Sequence, residues 1–278
     1  MQETFDSFQT SDGLKIHTVA WLPDSAPKAT VLIAHGIAEH SGRYRHVGEF
    51  LADRGYAVYA LDHRGHGKSE GVRVYFDSFD QPVGDLERYF ERVKTAHPAL
   101  PVYILGHSMG SLITLLFTLR HQGELAGMIS SGTPIYLDQS LPAPVIALAG
   151  FVRNLAAKLA LIPLDVKAIS TDPAVVAAQK ADPLCYHGLM PIGTITALVE
   201  TGRKVREQVT TLRLPLLILH GQADKLTPPP GSQFIMDKAG SPDKTLKFYP
   251  GMYHEIVNEV DKATVLNDIT TWLDSHTR

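Results

Sequence analysis

The sequence predicts an α/β fold, a mainly parallel sheet flanked by helices and interrupted by a helical insertion. Three observations lead there. Short runs rich in β-branched and apolar residues recur along the 278 residues, longer segments with helical spacing separate most of them, and the alternation stops between residues 133 and 212 before it resumes.

In chain order the strand-like runs lie at residues 15–21, 30–34, 57–61, 102–105, 127–130, 216–219 and 246–249. The helix-like segments at 44–54, 81–96, 111–121 and 230–239 fall between them. A strand covered on both faces reads as an unbroken apolar run, as "VYIL" and "LPLLIL" do, which is the mark of a sheet with helices on each side. Residues 1–132 and 213–278 form the expected core, and residues 133–212, far too long for an ordinary connection, form a cap. Within it residues 141–164 are too apolar for a fully solvated helix, so that stretch covers something, lines a pocket or lies on a lipid surface.

Composition narrows the function. Hydrophobic residues make up 44% and charged residues 20%, enough apolar material for one large core. The formal net charge is −3 and no dense basic run occurs, which argues against nucleic acid. Cys185 is alone, so nothing requires an oxidising compartment, and a cytoplasmic location is expected. Residues 1–12 lack a basic-then-apolar pattern, so no cleaved leader is expected. Arg153, Asn154 and Lys158 interrupt the most apolar region, so no membrane-crossing segment is expected either.

The sharpest chemical signal is "GHSMG", Gly106 to Gly110, between the strand "VYIL" and the helical run "SLITLLFTLRH". Strand, tight turn and helix force the central serine into a strained backbone, and small neighbours let the flanking elements approach. Ser108 would then project above the sheet edge, where the following helix directs its free amides. A hydroxyl is a weak nucleophile, so it needs a base and a group that orients the base. The chain order nucleophile, acid, histidine is met by Asp224 after "LPLLILHGQ" and His254 after "LKFYPGMY". Asp237, Asp243 and Asp261 lie away from strand ends, His276 belongs to an end expected to fray, and His220 reads as a packing residue. In "IAHGIAEHSGRY" the turn after His35 and Gly36 offers the amide of Ile37, which with that of Met109 would hold an oxyanion.

Metal chemistry is not indicated. The 13 histidines include His35, His40, His46, His63 and His66, but their spacing matches no zinc pattern. "DHRGHGKSEG" has the wrong spacing for a phosphate loop and reads as a glycine-supported turn whose backbone Asp62 and Arg64 would bond.

With these residues in view the chain resembles the monoacylglycerol lipase and lysophospholipase branch of the α/β-hydrolase fold, the S33-type serine hydrolases. "HGIAEHSGRY", "DHRGHGKSEG", "GHSMG", "ADPL", "GQADKLT" and "SPDKTLKFYPGMYHE" carry the resemblance over nearly the whole length. It implies hydrolysis of esters with one long acyl chain and a small polar head, without a cofactor. It further implies that Glu39, Arg43 and His107 hold the head group, although Glu39 and Arg43 could equally form an ion pair that stiffens the oxyanion loop. Two departures matter: Ala38 stands where relatives often have glycine, and Gln179 where some have a tyrosine facing the head group. A lysophospholipase, a general carboxylesterase or thioesterase, and a binding protein on the same fold remain the alternatives. A lipid ester is the expected partner, and the cap's apolar face is expected to touch membranes transiently.

Overall fold

The computed structural model describes residues 1–140 and 156–277, so residues 141–155 of the apolar stretch lie outside the described residues. Eight strands form the main sheet: β1 (Gln2–Gln9), β2 (Lys15–Leu22), β3 (Ala29–Ala34), β4 (Tyr56–Leu61), β5 (Val102–His107), β6 (Gly127–Ser131), and, after a long excursion, β9 (Leu216–Gly221) and β10 (Lys244–Tyr249). Their order is β1-β2-β4-β3-β5-β6-β9-β10. Strand β2 pairs antiparallel with β1 and β4, and the rest of the sheet is parallel.

The helices are α1 (Arg45–Ala52), α2 (Asp80–Ala96), α3 (Met109–His121), α4 (Leu137–Ser140), α5 (Pro173–Ala181), α6 (Ile192–Gln208), α7 (Pro230–Lys238) and α8 (Lys262–His276). The period of two in the strands sorts the core into two layers. Leu32, Ile104 and Ile218 pack with α2 and α3 residues such as Phe90 and Leu112, whereas Val31, Ile33, Leu105 and Leu219 pack with Leu51 of α1 and Ile269 of α8. Burying both faces explains the unbroken apolar strands.

Between β6 and β9 the chain makes α4, α5 and α6 together with a short antiparallel ladder of β7 (Ala160–Ile162) and β8 (Met190–Pro191). That ladder was not expected, because two or three residues carry no readable alternation.

Strand β1 is the other addition. QETFDSFQ is largely polar and exposed because it forms the sheet edge; it still buries Phe8, and Glu3 accepts a bond from the Trp21 indole at 2.9 Å. Helix α8 corrects the expectation of a frayed end: His276 bonds the Trp272 carbonyl at 2.7 Å and Asp243 at 2.9 Å. In the 61–71 turn, Asp62 bonds backbone as expected, accepting from the amides of Ser41 and Lys68, both at 2.8 Å. Arg64 does not. Its guanidinium pairs with buried Asp85 at 2.7 Å and with Asp12 at 2.9 Å, tying the turn to α2 and to the β1–β2 connection.

Strands β3, β5, β6, β9 and β10 end along one edge: Ala34 is level with Gly106, His107 with Ser131, Ser131 with Leu219, and Gly221 with Tyr249. The order reverses between β3 and β5, and loops beyond the carboxyl ends there form a crevice.

Candidate active site

Ser108 follows β5 with φ +50° and ψ −120°, a conformation an L residue holds only when its surroundings over-determine it. Its amide donates to the Ser131 carbonyl at 2.9 Å, and its own carbonyl accepts from the Ser111 amide at 2.9 Å and hydroxyl at 2.5 Å. Both flanking glycines are required. A Cβ on Gly106 would strike the Thr114 hydroxyl and lie 2.6 Å from the Gly110 carbonyl, and one on Gly110 would strike the Ala34 carbonyl.

Asp224 lies in the turn after β9 and His254 in the turn after β10, and the sheet edge brings them together. The His254 Nδ1 proton goes to Asp224 Oδ2 at 2.7 Å, the tautomer that a carboxylate partner demands. Asp224 Oδ1 accepts from the amides of Leu226 at 2.8 Å and Thr227 at 3.0 Å, and Oδ2 also accepts from the Thr227 hydroxyl at 2.7 Å. Burial alone would push this carboxyl up, but the charge of His254 and hydrogen bonds from His220 and His254 hold it far below the carboxylate range. Burial pulls His254 down, yet the charge and hydrogen bond of Asp224 prevail and raise it above its ordinary value. His107, whose ring lies 4.7 Å from that of His254, is driven well below its ordinary value by burial and by that neighbour.

Ser108 and His254 line one cavity of about 280 Å³. Among the described residues neither the Ser108 hydroxyl nor His254 Nε2 has a hydrogen-bond partner. Such contacts are often long before substrate arrives and tighten in the complex. Ile37 and Met109 line the same cavity, and neither backbone amide has a partner among the described residues. The loop carrying Ile37 comes close to the serine: a Cβ on Gly36 would lie 3.3 Å from that of Ser108.

Apolar walls come from Leu137, Ile162, Met190, Ile195, Leu198 and Leu226. The polar end holds Glu39, Arg43, Gln179 and Glu255. Arg43 bonds Glu39 at 3.0 Å and Glu255 at 2.6 and 2.7 Å, so the ion-pair reading of Glu39 and Arg43 describes a contact that is present. Glu39 also accepts from the Gly36 amide at 2.6 Å and the Tyr44 hydroxyl at 2.8 Å, which fastens the loop that carries Ile37. Burial raises the Glu255 carboxyl despite the pull of Arg43, and burial of Arg43 is outweighed by the two carboxylates, which raise it further. Gln179, on α5, is buried, and its Oε1 has no hydrogen-bond partner among the described residues.

Sequence reasoning missed Glu255, Thr227 and part of His220. Glu255 carried no signal beyond following the histidine. His220 is buried, as a packing residue would be, but its Nε2 also lies 3.1 Å from Asp224 Oδ2. Among the described residues one group has the composition of a metal site, His40, Asp182 and Cys185, with ligand atoms within 4.8 Å of one another. The His40 ring is already committed, Nε2 to Asp182 at 2.8 Å and Nδ1 to the Gly42 amide at 3.2 Å.

Comparison with known proteins places this geometry. Residues 25–261 match the family described as serine aminopeptidase, S33. A monoacylglycerol lipase of Mycolicibacterium smegmatis is 41% identical over 270 residues, covering 97% of this chain and 96% of that protein. The chain belongs to the monoacylglycerol lipase branch of the α/β-hydrolases. Human monoglyceride lipase is 35% identical, covering 96% of this chain and 89% of that one. The crystal structure of a soluble variant of the Saccharomyces cerevisiae monoglyceride lipase, in complex with a substrate analog, superposes with a TM-score of 0.87 at 28% identity, covering 99% and 95% of the two chains. Within this α/β-hydrolase branch one departure has a structural cost. Ala38, in the oxyanion-side loop, sits at φ +63°, the left-handed region that favours glycine.

Proposed function

We propose that this carboxylic ester hydrolase cleaves monoacylglycerols through an acyl-enzyme, with Ser108 as nucleophile. His254 Nε2 takes the hydroxyl proton as Ser108 Oγ attacks the ester carbonyl, and Asp224 keeps the ring aligned and stabilises the imidazolium. The amides of Ile37 and Met109 receive the oxyanion. His254 then protonates the leaving alcohol, glycerol, and in the second half reaction takes a proton from water, whose oxygen attacks the acyl carbonyl and returns Ser108 and a fatty acid.

The observation that carries this reading is a buried Asp224–His254 pair at 2.7 Å sharing one largely apolar cavity with an elbow serine. The apolar walls suit an acyl chain, which gains about 0.8 kcal/mol for each methylene removed from water. The polar groups suit a small hydroxylated head, because among the described residues Gln179 Oε1 is an acceptor without a donor and Glu39 and Glu255 flank the Arg43 guanidinium. His107, which burial holds well below its ordinary value, also lines the cavity.

Residues 133–212 act as the cap over this cavity. Its ladder supports the role: Ile162 and Met190 line the cavity, while Leu161 is 54% and Leu189 45% exposed on the other side, with Lys158 and Lys167 close in sequence. That outer surface is suited to transient contact with an anionic membrane. No helix of the described residues is long and apolar enough to cross one.

The test is a panel of monoacylglycerols, lysophospholipids and nitrophenyl esters of graded chain length, with Ser108→Ala beside the native protein. Monoacylglycerols of medium or long chain are expected to turn over fastest, and Ser108→Ala should lose at least about 10³-fold in kcat with its fold intact. A steady fall in activity with chain length would favour a short-ester carboxylesterase, and retained activity in Ser108→Ala would refute the mechanism.

A further inference from the structure

The Asp224 carboxylate is served by a second imidazole that no step of the proposed reaction uses. His220, on β9, is completely buried, with its Nδ1 2.7 Å from the Ser232 hydroxyl of α7 and its Nε2 3.1 Å from both Asp224 Oδ2 and the Thr227 carbonyl. Its tautomer follows from these neighbours. Nε2 faces the carboxylate and the carbonyl, which can only accept, while the Thr227 hydroxyl 3.4 Å away gives its proton to Asp224, so Nε2 carries the proton and Ser232 donates to the lone pair on Nδ1. A packing histidine needs no such arrangement, because either tautomer would serve.

We infer that His220 is a positioning residue of the catalytic triad, which holds the Asp224 carboxylate in the orientation that receives His254 and shares its negative charge. The inference rests on the triad assigned above. Asp224 Oδ2 accepts from the ring of His254 and the hydroxyl of Thr227, both at 2.7 Å, and His220 Nε2, which is paired with the Thr227 carbonyl, presents its N–H edge 3.1 Å away. Removing His220 takes that N–H edge away from the carboxylate and releases the Thr227 carbonyl, so more of the charge of Asp224 falls on His254 and the carboxylate gains freedom to turn. After Asp224 the strongest charges on His254 are those of Glu255 and Glu39, Arg43 and Lys225 line the same cavity, and the His107 ring packs on that of His254; replacing His220 alters none of these groups.

The test compares His220→Leu, His220→Gln and Ser232→Ala with the native enzyme on one monoacylglycerol across the pH range. Glutamine can place a donor where Nε2 stood, leucine cannot, and alanine at 232 removes only the group that sets the tautomer. In His220→Leu kcat should fall about tenfold at unchanged KM, and the acid limb of the rate profile should move up by roughly 0.5 pH unit. His220→Gln should recover most of both, and Ser232→Ala should move the limb in the same direction by less. A native kcat and limb in His220→Leu would overturn the inference, as would His220→Gln being as impaired as His220→Leu. If His220→Leu fails to fold, a native profile in Ser232→Ala overturns it. Fluorophosphonate labelling separates this failure from that of the triad: unlabelled Ser108 sinks the triad, whereas labelled Ser108 with native-like His220 variants sinks only the role of His220.

Discussion

Replacing Arg43 by methionine tests how the polar end of the cavity is held together. Arg43 is 11% exposed at its side chain and its partners Glu39 and Glu255 are 4% and 7% exposed, so the guanidinium is the counter-charge for two carboxylates taken out of water. Breaking such a buried pair leaves uncompensated charge and costs about 3–5 kcal/mol, far more than the 0–1 kcal/mol of an exposed pair. In a chain of this size that lowers the melting temperature by on the order of 10 °C. The deficit has a pH signature. Burial already raises Glu255 in the native protein against the pull of Arg43, and without Arg43 it is raised further in the folded state relative to the unfolded chain. A group raised in this way contributes no deficit below its unfolded value, where it is protonated in both states, and loses stability as pH rises through the folded value. The deficit of Arg43→Met should therefore be full at pH 8 and largely gone near pH 4.5. Urea unfolding at the two pH values measures it, and Arg43→Met/Glu255→Met should recover part of the loss because one buried charge goes with its partner. A deficit below about 1 kcal/mol at pH 8, or one equal at both pH values, would refute the reasoning.

Other consequences are as direct. His254 is raised above 6.5 by Asp224 and must be neutral to act, so kcat/KM should fall as pH drops through a midpoint above 6.5; a limb centred at or below pH 6 would contradict this. Asp224→Asn, which carries no negative charge to stabilise an imidazolium and can turn its NH2 toward Nδ1 and so favour the wrong tautomer, should lower kcat by roughly 10⁴-fold, whereas a loss under tenfold would show that another acid serves. Ala38→Gly relieves a left-handed alanine but frees the unfolded chain, so stability should change by less than about 1 kcal/mol, in the stabilising direction, with kcat preserved; a clear loss in thermal unfolding would show that the methyl packs usefully. Cys185 is buried and burial pushes its thiol up to about 12, so maleimide should label it at neutral pH only after unfolding.

The meeting of Asp224 with His254 beside Ser108 was legible because strand–helix alternation confines the loops of interest to one sheet edge, so that these residues could be chosen over Asp243 or His276 by strand ends alone. The turn that brings Ile37 to the cavity was legible for the same reason. Strand β1 was not, since an edge strand with Glu3, Asp6 and Ser7 lacks the apolar excess that marks inner strands. The pattern at Val265, Leu266, Ile269, Trp272 and Leu273 is that of a helix face, and reading the chain end as frayed passes over it. The β7–β8 ladder depends on tertiary support that a few residues cannot announce. The attachments of Glu255 to Arg43, His220 to Asp224 and Arg64 to Asp85 join distant segments whose meeting depends on register and helix placement, and nothing in their own neighbourhoods encodes it.

The loop that presents Ile37 is also stitched to the excursion above it. The Tyr186 amide donates to the Ala38 carbonyl at 2.9 Å, and the His40 ring meets Asp182 at 2.8 Å. Chimeras that exchange residues 133–212 for the matching stretch of a relative would therefore cut two fastenings of the turn that carries Ile37. Donor segments that keep an aspartate at the position of Asp182 and a free amide at that of Tyr186 should graft with turnover intact, and those lacking them should bind well yet react slowly.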